Sequence, residues 1–170
     1  MRPDVSELLG GVRRILDETV APEVGSAYAL EVLRGAAATL LALEKGWARV
    51  PSFLAWDNAA TAALLRRVRD GAPGEVARRI DATLDAGEPD PLDVAASTAR
   101  NDALRAALAE LLADAGGDAG AHSHAATPAD IAAALAPHRE AISLHLEERA
   151  RRAPIRLVPL TPGRVPRKEP

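Results

Sequence analysis

The chain has no cysteine and only four aromatic residues among its 170: Tyr28, Trp47, Phe53 and Trp56. The first absence excludes disulfides, thiolate nucleophiles and cysteine-ligated zinc. The second argues against a sheet, because strands favour the aromatic and β-branched residues that are scarce here. Charge of one sign is also lacking. The net charge is −3, so bulk electrostatics makes no case for nucleic acid as a partner. No apolar run suits a bilayer. The longest, around Leu30 to Leu43, is broken by Glu31, Arg34 and Thr39. The opening Met1-Arg2-Pro3-Asp4-Val5-Ser6 has no apolar core of the kind a signal peptide needs, so the expected location is the cytoplasm, with no membrane contact. A Gly-x-Ser-x-Gly elbow, a Walker-type phosphate loop and a dinucleotide fingerprint are all missing. No catalytic residue, metal ligand or cofactor is therefore expected.

Alanine is abundant instead, at 38 positions. It is the strongest helix former, and its small side chain lets helices approach closely. The expected fold is all-α: a single-domain helical bundle of about five to six helices over residues 1–152, followed by an extended proline-rich tail over 153–170. Five of the last 17 residues are proline, interleaved with Ile155, Leu157, Val158 and Leu160.

Apolar spacing predicts the helices. Val5, Leu8, Leu9, Val12, Ile15, Leu16 and Val20 mark a first helix, capped by Asp4 or Ser6 and ended by Pro22 and Gly25. Leu30, Leu33, Ala37, Leu40, Leu43 and Trp47 mark a second, from about Ser26, apolar over most of its girth and hence expected to be central. A third opens at Pro51-Ser52 and runs to Gly71; a short fourth holds Val76, Ile80 and Leu84. The fifth spans roughly Leu92 to Ala115, and Ala115 to Ala126 is expected to be a flexible loop. Thr127-Pro128 starts the sixth, which Pro137 should kink or split before it ends at Arg151-Arg152.

Few side chains carry chemistry. His122 and His124 in the glycine-alanine loop can chelate a metal, but no third ligand stands at a familiar spacing, so a mobile polar loop is the preferred reading. His138 and His145 are seven apart, which suits one face of the sixth helix. A histidine on such a face is more often a hydrogen-bonded core residue than a catalyst. Asn101 lies on the apolar stripe of the fifth helix and needs a partner if buried. The arginines at 66, 67, 69, 78 and 79 are followed immediately by acids at 81, 85, 88, 90 and 93 and read as a solvated, ion-paired surface. Trp56-Asp57-Asn58, with Thr61 one turn on, is the densest polar-aromatic cluster. Together with Trp47, Phe53 and His138 it forms the candidate binding set, weighed against a bulky plug in an alanine-lined core.

The N-terminal half also carries a family resemblance. Arg2-Pro3-Asp4-Val5-Ser6-Glu7-Leu8-Leu9, then Val20-Ala21-Pro22, then Tyr28-Ala29-Leu30-Glu31-Val32-Leu33-Arg34-Gly35-Ala36-Ala37, closing with Leu40-Leu41-Ala42-Leu43-Glu44, resembles the DUF6285 family of small bacterial all-helical proteins. Genes of that family commonly sit beside an aminoglycoside-phosphotransferase-like kinase and an acyl-CoA dehydrogenase. The resemblance implies a non-catalytic accessory subunit of such a kinase, acting on hydroxyacyl-CoA in hydroxy-acid catabolism. It implies no catalytic residue. The alternative is a ligand-binding or enzymatic bundle with a pocket near Trp56, Asp57, Asn58 and His138. A homodimer is a further expectation.

Overall fold

A computed structural model of the protein describes residues 4–116 and 126–155. The loop histidines His122 and His124, and the tail from residue 156, lie outside the described residues. Among those described there are seven α-helices and no strand, as the alanine content requires. They are α1 (Val5–Ile15), α2 (Ala27–Gly46), α3 (Val50–Gly71), α4 (Gly74–Leu84), α5 (Val94–Gly116), α6 (Pro128–Leu135) and α7 (Arg139–Arg152). By contact density the chain divides into two compact units, Met1–Arg49 with Pro154–Pro170, and Val50–Ala153.

Unit one is a helical hairpin. Asp4 and Glu7 form a reciprocal capping box at the start of α1, at 2.8 and 3.0 Å. The first helix was expected to reach Val20, and the chain does stay helical, but Leu16–Val20 widens into a π-turn and Ala21–Glu23 tightens into a 3-10 turn. Pro22 explains the change. In a regular helix its ring would strike the carbonyl of Glu18, and it has no N–H to give. Ser26 caps α2, and Arg13 ties the two helices by its contact with Glu44 at 3.3 Å. At the far end of α2, Gly46 meets the returning chain. A Cβ there would lie 2.7 Å from Ile155 Cγ1, so the close approach depends on glycine. Arg49 Nη2 donates to Pro154 O at 3.0 Å beside it.

Unit two holds the apolar core. α3 packs chiefly on α5, with α4, α6 and α7 closing around them. Leu65, Val68, Ile80, Leu104, Ile131 and Ile142 are among its buried members, one or more from each of the five helices. Turn chemistry sets the boundaries. Gly87, at φ +75°, makes the left-handed step after α4. Asp93 accepts from the Ala96 N–H at 2.9 Å, so α5 begins at Val94 and leaves Leu92 outside it, 85% exposed. Thr127 and Asp130 cap α6 reciprocally, and the Thr127 bonds hold the Asp130 carboxyl below its usual range. Pro137 splits the last helical segment: a 3-10 turn, Ala136–His138, separates α6 from α7.

Candidate functional site

The site forms where polar residues interrupt three apolar stripes. On α3 the buried positions include Leu54, Asp57, Asn58, Thr61, Leu65 and Val68, so Asp57, Asn58 and Thr61 share one face in the first half of the helix. On α5 the buried face begins with Ser97, Arg100 and Asn101 before turning apolar at Leu104. On α7 the spacing Ile142, His145, Arg149, Arg152 carries polar groups along the same side. Packing α3 against α5 and α7 brings the polar segments together, while the aliphatic parts of α3 and α5 form the core.

Asp57 is the centre. It is fully buried, at 0% exposure. Its Oδ2 accepts from Asn101 Nδ2 at 2.8 Å and from Arg149 Nε at 2.9 Å. The second amide hydrogen of Asn101 goes to Asn58 Oδ1 at 2.9 Å, and Asn58 Nδ2 donates to the Ser97 carbonyl at 3.1 Å. This accounts for the two buried asparagines, each of which has a partner on the facing helix. His145 Nε2 is hydrogen-bonded to Thr61 Oγ1 at 3.0 Å and stands 3.3 Å from Asp57 Oδ1, a buried oxygen with no hydrogen-bond donor. That second contact is electrostatic: a proton on Nε2 makes it attractive, whereas a proton on Nδ1 sets two acceptors against each other, so the Nε2–H tautomer is favoured. Burial, more than any other influence, holds the His145 pKa below its ordinary value; Asp57 opposes the shift and Arg149 adds to it. At neutral pH the imidazole of the cluster is thus uncharged.

The Asp57, His145 and Thr61 arrangement differs from an acyl-transfer triad. In a triad the carboxylate and the hydroxyl occupy opposite ring nitrogens. Here both meet Nε2, so the ring cannot relay a proton from one to the other.

Trp56 borders the network without entering it. It is half-buried, with its ring 6.0 Å from Phe53 and 5.5 Å from His145, and the Arg152 guanidinium lies over it at 4.5 Å. Phe53 and Trp56 therefore gather with Asp57 on the side of α3 that meets α7, while Asn58 pairs with α5. His138 occupies the 3-10 turn before α7, so its seven-residue spacing from His145 does not lie within one helix. Trp47 belongs to unit one, just past the end of α2, and is 37% exposed. Missed from the sequence was Arg149. The spacing onward from Ile142 places it on the same side as His145, which was the available signal.

An open cleft of about 370 Å³ lies between α5 and α7, with Thr61 of α3 contributing to its lining. Arg105, Leu108 and Leu112 of α5 and His145, Leu146 and Arg149 of α7 face it. Asp57 and Asn58 are not among its lining residues. The basic stretch on α3 and α4 is salt-laced: Arg69 pairs with Asp81 at 2.9 Å and Arg79 with Asp114 at 3.0 Å. Arg100 turns inward and donates to the Thr83 and Leu84 carbonyls, closing the end of α4. Among the described residues no group of three or more histidines and acids could hold a metal ion, and no helix is long and apolar enough to cross a membrane.

Unit one offers a different kind of surface. Val5, Leu8, Val12 and Ile15 of α1, at spacings of three and four, are all 41–58% exposed. Tyr28 and Val32, one turn apart on α2, are also exposed.

Set beside family models, curated proteins and solved structures, the chain matches none of them.

Proposed function

We propose that the protein is a non-catalytic interaction subunit that docks through the α1–α2 hairpin onto a kinase of the aminoglycoside-phosphotransferase type. The exposed Val5, Leu8, Val12, Ile15 stripe carries this reading. A contiguous apolar stripe on a helix is what a partner's groove takes up, with anchors at i, i+3 or i+4, and i+7. Val5 and Leu8 of the stripe are among the residues that carry the DUF6285 resemblance, which supplies the partner class: a kinase acting on hydroxyacyl-CoA in hydroxy-acid catabolism, in the cytoplasm. An acyl-CoA dehydrogenase is a second proposed partner in the same assembly.

Co-expression with a kinase of that class from the same genome tests the reading. The expected result is a complex that survives size exclusion and is lost in the double variant Leu8→Glu, Val12→Glu. Both residues are exposed, so the variant protein should fold. A wild-type chain that forms only a homodimer, broken by the same double change, would replace the kinase with a second copy. A complex indifferent to the double change would remove the stripe as the interface.

A further inference from the structure

We propose that the cleft between α5 and α7 binds a small monocarboxylate with a short apolar chain. The proposal concerns unit two and does not depend on the kinase reading. Two guanidinium groups face the cleft. Arg149 spends Nε on Asp57 at 2.9 Å, which fixes the side chain and leaves its terminal nitrogens without a protein partner among the described residues. Arg105 has no hydrogen-bond or ion-pair partner among the described residues, although it is one helical turn from Asp102. A planar guanidinium fork matches a carboxylate in two parallel hydrogen bonds.

The rest of the lining decides what is attached to the carboxylate. Leu108, Leu112 and Leu146 supply apolar wall, and Leu112 and Leu146 are 40% and 44% exposed, more than an aliphatic residue gains from facing water. Asp102 faces the same cleft and repels a second negative charge. A singly charged acid with a hydrocarbon body fits this set; a phosphate dianion meets Asp102 and leaves the leucines unused. The volume of about 370 Å³ lies in the range of small-ligand sites.

The test is calorimetric titration of the full chain with octanoate, beside octylamine, octanol and inorganic phosphate. Octanoate should bind saturably and the other three at least tenfold more weakly. Arg105→Gln removes one guanidinium at an exposed position and should weaken octanoate at least tenfold, with Arg105→Lys in between. Ala109→Trp fills the cleft from α5 and should abolish binding while the circular dichroism spectrum stays helical. No saturable octanoate binding to the wild-type chain would overturn the proposal. So would octylamine or phosphate binding as tightly as octanoate, or octanoate affinity unchanged by both Arg105→Gln and Ala109→Trp.

Discussion

Among the described residues, fourteen apolar and seven polar ones are buried in unit two; in unit one the buried side chains reduce to Ala37, beside the backbone of Gly46. The large apolar residues show the reverse. Eight of the twelve that are exposed among the described residues belong to unit one. Both units are alanine-rich and helical, so composition does not separate them. Neighbours do. Each long helix of unit two has others on more than one side, and its apolar stripe is covered. In the hairpin, α1 and α2 have one another, and a stripe wider than a single contact stays open. Helices of this length gain most of their stability from such packing. The contrast assigns the stability of the fold to unit two and leaves most of the exposed apolar surface among the described residues on unit one.

The largest test of that contrast is truncation in the unit-two core. Leu104→Ala, at a fully buried site, should destabilise the protein by about 3–5 kcal/mol in urea unfolding. A loss within experimental error would mean that the core is not where the fold is held. Next in size is the polar cluster. Asp57→Ala strands Arg149, Asn101 and His145 together and should cost about 3 kcal/mol. A neutral result would show that water replaces the carboxylate without penalty.

A smaller effect is expected from pH. The His145 pKa is held below its ordinary 6.5, so the folded protein takes up this proton less readily than the unfolded chain. The stability it contributes is complete above about pH 6.5 and is lost as pH falls through the folded value. That loss begins above the ordinary 3.8 and 4.5 of Asp130 and Glu148, which hydrogen bonds hold lower still. His145→Gln should flatten the slope just below pH 6.5 in a series of unfolding curves; an unchanged slope would assign the titration elsewhere. The smallest effect belongs to unit one. Leu8→Ala should change stability by no more than about 0.5 kcal/mol, as exposed substitutions do. A loss on the scale of Leu104→Ala would mean that the α1 stripe is covered in solution.

Much of the helix pattern was legible in the sequence because its causes are local. Asp4, Ser26, Thr127-Pro128 and Pro137 each act within a turn of their own position. The widening before Pro22 is also local, but it is a change of helix type, to which apolar spacing is blind. The site was legible in its parts. Asn101 stood out as a polar residue on an apolar stripe that requires a partner, and Asp57 and Asn58 as part of a polar-aromatic cluster. Their mutual pairing was not legible, since Asn101 is 44 residues from Asp57 and Arg149 is 92. Only the packing of α3, α5 and α7 joins them. The candidate set took His138 and left out His145; the 3-10 turn at Pro137 removes His138 from the helix, and His145 is the histidine that joins the cluster.

The seat at Gly46 has a consequence for synthesis. The backbone that fills it, Pro154–Ile155, is separated from its neighbour Arg49 by 105 positions, and the whole of unit two lies between. A ribosome delivers α1 and α2 first, then unit two, and this closing segment afterwards. Domains fold as units while the chain emerges, so the hairpin waits with the seat vacant until unit two has been made. A chain truncated anywhere within unit two has nothing to place against Gly46. Closure of unit one therefore reports that translation has passed through unit two.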